Sequence, residues 1–280
     1  MNVNFKEKMG FGVLLLATLL VAVPVILIIW LIVQKGWSAI TWEFLFSMPK
    51  DGMKAGGIFP AIVGTFYLVL GSIAFSLPVG VLAAIYLNEY AKDNALTRTI
   101  NLAIVNLAGV SSVVYGLFGL SLFVVFFRFG VSIISGSLTL GIMTLPVIIT
   151  TTREALRAVP KYFREVSLSL GTTKWQTIRH SVLPFALPGI LTGAILSIGR
   201  AAGETAPILF TVAAFYLPNL PQSPFDQAMA LPYHLYIIST QIPGIREDFR
   251  YGTALVLVGL VVMMNLSAII IRSKFRRKKW

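Results

Sequence analysis

Charged side chains fall in clusters along this chain, and the intervals between clusters are long. Residues 9–34, 55–88, 99–127, 129–152 and 251–271 contain no Asp, Glu, Lys or Arg. A hydrocarbon core about 30 Å thick is crossed by a helix of about 20 apolar residues, so each interval predicts a membrane span. A sixth apolar region, 185–217, is interrupted by Arg200 and Glu204. Reading the interruption as a turn gives seven spans; the basic residues argue for six. With the N-terminus inside, Lys6, Lys8, Lys92, Arg98, Arg153, Arg157, Lys161, Arg164, Lys174, Arg179 and the tail from Arg272 to Lys279 all fall on the cytoplasmic side. Only Lys35, Lys50, Lys54, Arg128, Arg246 and Arg250 are left outside. A seventh span would carry the basic tail outward, against the positive-inside bias.

The first span is too long for the apolar part of a cleaved signal, and Lys35-Gly36-Trp37 offers no small-residue cleavage site. Trp30, Trp37 and Trp42 read as an outer aromatic belt. Between 217 and 250, Pro218, Pro221, Pro224, Pro232 and Pro243 forbid a long helix. That leaves an external loop with one short interfacial helix at 228–241. Pro78, Pro146 and Pro207 fall within spans and predict kinks. Gly189/Gly193 and Gly199/Gly203 on the fifth span are small residues four apart, a packing pattern. Gly199 and Gly203 also flank Arg200, where they let backbone approach a solute.

The segment between the fourth and fifth spans, residues 151–184, carries six basic side chains. Pro160 suits a first helical position, and Val159, Phe163, Val166 and Leu170 then line one apolar face. Gly171 stands where a left-handed cap belongs. Thr173 with Gln176 reads as a capping box opening a second short helix, with Trp175 exposed near its start. Pro184 and Pro188 end that element and open the fifth span. Two readings of this helix–glycine–helix hairpin stand: a docking element for a cytoplasmic partner, or an amphipathic hairpin lying on anionic headgroups.

Composition excludes more than it proves. Of 280 residues 56% are hydrophobic and 12% charged, against about 25% charged in a soluble domain. Mean hydropathy is +0.82. A soluble enzyme is excluded, and with no cysteine so are a disulfide scaffold and a thiol nucleophile. A net charge of +12 elsewhere suggests nucleic acid, but here the cations are sorted by membrane side. His180 reads as interfacial and His234 as a loop residue; two lone histidines make no metal centre. Gly171-Thr172-Thr173-Lys174 lacks the spacing of a phosphate-binding loop, so the chain reads as a non-enzyme with no cofactor of its own.

Arg200 and Glu204 are the charges inside a predicted span. An ionised side chain at bilayer depth costs roughly 2.5–3.5 kcal/mol, which two opposite charges on one helix face offset. One reading is a self-satisfied ion pair that fixes packing. The other is an anion pathway. A guanidinium presents a planar fork of donors to a tetrahedral oxyanion. A carboxylate beside it accepts from the P–OH of phosphate, whereas sulfate has no proton to offer and is repelled.

Glu165-Val166-Ser167, then Gly171, then Leu183-Pro184 resembles the cytoplasmic loop of binding-protein-dependent ABC importer permeases. Val166, Ser167 and Ser181 depart from that family's usual residues. The stretches Gly56–Ile62, Asn106–Val110, Val114–Gly119, Leu170–Ile178 and Arg200–Pro207 are similar to the phosphate-permease (PstA) branch, with Ser111 standing where proline is expected. The resemblance implies an all-α integral membrane fold of six helices, both termini cytoplasmic, of the type I importer permease kind. It implies a permease core at 58–271, preceded by a tail, first helix and external loop at 1–57 and followed by a basic tail at 272–280. It implies that Arg200, Gly203, Glu204 and Thr205 lie on a phosphate pathway. It implies that Glu165, Gly171, Thr172, Thr173, Lys174 and Trp175 couple to an ATPase. The implied partners are a homologous PstC-like permease as heterodimer, two PstB-like ATPase subunits carrying ATP and Mg, and an external PstS-like phosphate-binding protein. The implied setting is the bilayer of a bacterial or archaeal cytoplasmic membrane, with no nucleic acid. A permease for sulfate or molybdate, an ion-coupled transporter or channel, and a scaffold or sensor without transport are the rival readings.

Overall fold

The computed structural model describes residues 3–217 and 219–277; Pro218 of the external loop and Lys278 and Lys279 of the tail lie outside the described residues. Helix α1 (Val3–Gly36) is apolar on all sides from Met9 to Val33 and exposes its aliphatic side chains there, as a lipid-facing helix must. A short helix α2 (Trp42–Phe46) follows, opened by Thr41, whose hydroxyl accepts from the Phe44 amide at 3.1 Å. Trp30, Trp37 and Trp42 are all exposed, as a belt requires. A two-residue hairpin, β1 (Pro49–Lys50) with β2 (Ala55–Gly56), leads into the bundle. Met53 at its tip is fully buried and anchors it to the core.

The bundle is built by α3 (Phe59–Ile85), which runs on into a π turn at Tyr86–Tyr90, α4 (Ala95–Ala108), α5 (Ser112–Gly119) with a π turn at Leu120–Phe126, and α6 (Ile133–Arg157). Then come α7 (Lys161–Ser169), α8 (Lys174–Thr177) with a π turn at Ile178–Val182, α9 (Leu183–Gly203), α10 (Ala206–Thr211), α11 (Leu231–Thr240) and α12 (Glu247–Arg277). Five helical stretches of the chain, α1 among them, are long and apolar enough to cross a membrane, six with the bent α4–α5 pair counted as one span.

That pair corrects the straight third span expected at 99–127. The two helices meet at 106° across Gly109-Val110-Ser111. The Tyr115 hydroxyl donates to the Leu107 carbonyl at 2.8 Å and staples the bend. Further corrections concern helix ends. The fifth span stops at Gly203 instead of reaching 217, and Pro207 opens α10 in place of kinking a span. Pro184 does not end α8; the helix passes through the π turn into α9, with Pro184 in α9's first turn. Pro160 is the cap before α7, one place earlier than expected.

Helices α3, α6 and α9 form the packed centre. Gly193 of α9 lies so close to Thr151 of α6 that a side chain at 193 would overlap its hydroxyl, and Gly189 meets Ala155 in the same way. These glycines serve packing, as their spacing predicts. Gly199 faces Asn265 of α12, whereas Gly203 faces open space.

The short helix α11, expected at an interface, is largely buried. His234, expected in a loop, sits inside it at 2% exposure with neither ring nitrogen hydrogen-bonded. Burial alone pushes its pKa down from 6.5 to about 4. Between those values the unfolded chain binds a proton that the folded chain refuses, so stability falls as pH drops through that window and is complete above it. The loss approaches about 3 kcal/mol by pH 4. Thermal unfolding of the purified chain should show this slope, and His234→Phe should remove it.

A charged pair at a helix end and a hairpin below it

Arg200 lies in the last turn of α9, where the helix dipole favours a cation. At 1.5 Å per residue it stands about 26 Å along the axis from Leu183. Glu204 is the cap that follows, with extended backbone (φ −75°, ψ 139°), so the pair is not carried on one continuous helix as expected. It nevertheless forms: Arg200 Nε donates to Glu204 Oε1 at 3.4 Å. The guanidinium side chain is 33% exposed and the carboxylate 19%. No other hydrogen bond reaches the guanidinium among the described residues, so most of its donors are unspent there. Beside it Gly203 is exposed with nothing near its missing side chain, and Thr205, half-exposed, caps α10.

A second ion pair shows what a self-satisfied one looks like in this fold. Arg164 of α7 grips Glu89 of the π turn after α3 with two bonds, Nη2 to Oε1 at 2.7 Å and Nε to Oε2 at 3.2 Å. It also donates to the carbonyls of Leu156 and Val159 at 2.9 and 3.0 Å. Glu89 is 8% exposed and Arg164 21%. Four donors are spent and the acid is sealed. Arg200, with one long bond and an open face, is built differently. Sequence reasoning missed Glu89, because residues 75 apart carry no shared pattern.

The hairpin forms as its local chemistry dictates. Gly171 has φ +81°, and the Thr173–Gln176 capping box is complete, with bonds of 2.8 and 3.3 Å. Its interior is a hydroxyl cluster: Thr172 Oγ1 donates to the Ser167 carbonyl at 2.8 Å and sits 2.9 Å from both Ser167 Oγ and Thr177 Oγ1. Thr172, half-buried, therefore ties the two helices of the hairpin together. The apolar face of α7 divides. Val159 is buried and Phe163 packs against the bundle, while Val166, Leu168 and Leu170 are exposed with Trp175 and Tyr162. Glu165 is exposed beside them, and Lys174 extends back over the Tyr90 ring at 4.9 Å. His180 is exposed, with Nδ1 3.1 Å from the Gln176 carbonyl.

Residues 76–279 match the family model described as "Binding-protein-dependent transport system inner membrane component". The chain is 33% identical to the probable ABC transporter permease protein YqgI of Bacillus subtilis, over 96% of this chain and 95% of that one. It is 34% identical to the phosphate transport system permease protein PstA 1 of Mycobacterium tuberculosis (92% and 84% covered) and 36% to PstA of Mycobacterium leprae (89% and 82%). Among solved structures, a bacterial alginate ABC transporter chain superposes with a TM-score of 0.67 at 16% identity, covering 95% of this chain and 94% of that one. A chain of the MetNI methionine ABC transporter superposes with 0.60 at 18% identity (78% and 94%). At those identities the likeness is one of fold.

Proposed function

This chain belongs to the binding-protein-dependent transport system inner membrane components, a multi-span permease family of ABC importers, and on that premise we propose that it is the permease subunit of an ATP-driven importer of inorganic phosphate. Relatives named as phosphate permeases support the substrate. The single observation that carries the mechanism is the open guanidinium of Arg200 at a broken helix end, paired with an acceptor at Glu204.

In this reading Arg200 takes two phosphate oxygens through its unspent donors, and Glu204 accepts a P–OH. Thr205 and the bare backbone of Gly203 supply room and a hydroxyl at the same edge. Contact is transient, because a pathway must release what it binds. A second, homologous permease closes the other wall, against the exposed apolar side chains Val113, Val114, Leu117 and Phe118 of α5. Two ATPase subunits, which hold ATP and Mg, receive the exposed hairpin tip at Glu165, Leu170, Gly171 and Trp175. Their closure and opening drive the permease pair between outward and inward openings. An external binding protein delivers phosphate. The setting is the cytoplasmic membrane, with both termini and the hairpin inside.

Uptake of radiolabelled phosphate, in cells lacking and then regaining this chain, tests the substrate. Uptake should return with the chain and persist under excess sulfate. Competition by sulfate or molybdate would assign the permease to another oxyanion, and uptake surviving loss of the ATPase would make it an ion-coupled carrier.

A further inference from the structure

The hairpin is joined covalently to α9, which carries Arg200 at its far end. It is also joined non-covalently to α3, and that second attachment is unusually firm. Arg164 of α7 holds Glu89 by two bonds and reaches the last turn of α6 through the Leu156 carbonyl. Asn88 contributes a further 2.8 Å bond to Glu89 Oε1. Lys174 of α8 lies over the ring of Tyr90 in the same π turn. Both helices of the hairpin are thus tied to one five-residue segment at the end of α3.

From that segment α3 continues as one helix to Val69, some 30 Å away at 1.5 Å per residue. There Val69 packs against Ala201 and Ala202, next to Arg200. Two rods therefore leave the hairpin and converge on the flank of the charged pair. A buried ion pair is a poor way to gain stability, since desolvation cancels much of its attraction. What a bidentate, four-bond guanidinium grip does provide is a fixed geometry.

We infer that the Arg164–Glu89 grip is a strap that makes α3 a second strut, so that displacement of the hairpin is delivered to both sides of Arg200. Arg164 and Glu89 are positioning residues; neither touches the solute. The inference rests on the hairpin being the ATPase contact, and the test separates the two. Because the chain has no cysteine, Glu89→Cys with Arg164→Cys places two unique thiols at the strap. In the assembled complex in proteoliposomes, the unbridged variant should capture the ATPase and hydrolyse ATP at the ordinary rate. Phosphate taken up per ATP should fall at least fivefold. Joining the thiols with a bifunctional methanethiosulfonate of matching span should restore that ratio to within twofold of the unsubstituted complex. Glu89→Gln, nearly isosteric, should reproduce the fall without loss of complex yield or of unfolding midpoint.

An unchanged uptake-to-ATP ratio in the unbridged variant, or a bridge that restores nothing, would overturn the strap. An unsubstituted chain that captures no ATPase would overturn the coupling reading itself, and the strap with it.

Discussion

Arg200→Ala should abolish phosphate uptake while leaving the complex assembled. The guanidinium spends one long bond on Glu204 and leaves the rest of its fork open, so removing it deletes donors that a solute would use and leaves Glu204 as the one group without its partner. Two hydrogen bonds to a charged partner are worth roughly 1.5–3 kcal/mol each, which corresponds to a fall of about two orders of magnitude or more in uptake. Arg200→Lys should recover only part, because an ammonium keeps the charge and loses the planar fork. Glu204→Gln probes the acceptor. The amide adds a donor where only acceptors stood, so excess sulfate should begin to compete in a variant that still transports. Normal phosphate uptake in Arg200→Ala would reduce the pair to a packing feature. The measurement is initial-rate uptake in cells, normalised to complex recovered from the membrane.

The second large effect belongs to the hairpin. Gly171 occupies the left-handed region at φ +81° with open space around its missing side chain, so steric room is not the constraint and backbone geometry is. Gly171→Ala should cost about 1–2 kcal/mol of hairpin order and weaken ATPase capture several-fold. Proline, locked near φ −65°, cannot make the turn at all. Gly171→Pro should therefore lose capture of the ATPase by at least tenfold while the membrane helices fold, since the turn hangs clear of the bundle. Co-purification of the ATPase from detergent extracts reads this directly. Equal capture by the proline variant would mean that the hairpin rests on lipid.

Why some of this was legible beforehand and some not follows from the range of the interactions. The glycine turn and the Thr173–Gln176 box are local, fixed by residues within five of one another, and spacing alone reports them. The spans are equally legible, because lipid penalises charge wherever a helix crosses it. The end of α9 was hidden: Gly203, Thr205 and Pro207 are modest break signals inside a long apolar run, and hydropathy outweighs them. The 106° bend was hidden for the same reason, since its staple joins the Tyr115 side chain to a carbonyl eight residues away. His234 was misplaced because a proline-rich stretch looks like loop, although Pro232 sits in a helix's first turn, where a missing amide proton costs nothing. The Arg164–Glu89 grip is long-range and has no spacing to read.

The π turns at Tyr86–Tyr90 and Ile178–Val182 adjoin one apolar cluster, to which Ile85, Ile178 and Val182 contribute. Each widened turn interrupts the regular ladder of its helix and is a natural place for the axis to yield. Two such turns border one apolar cluster, so α3 and α9 can yield there only together.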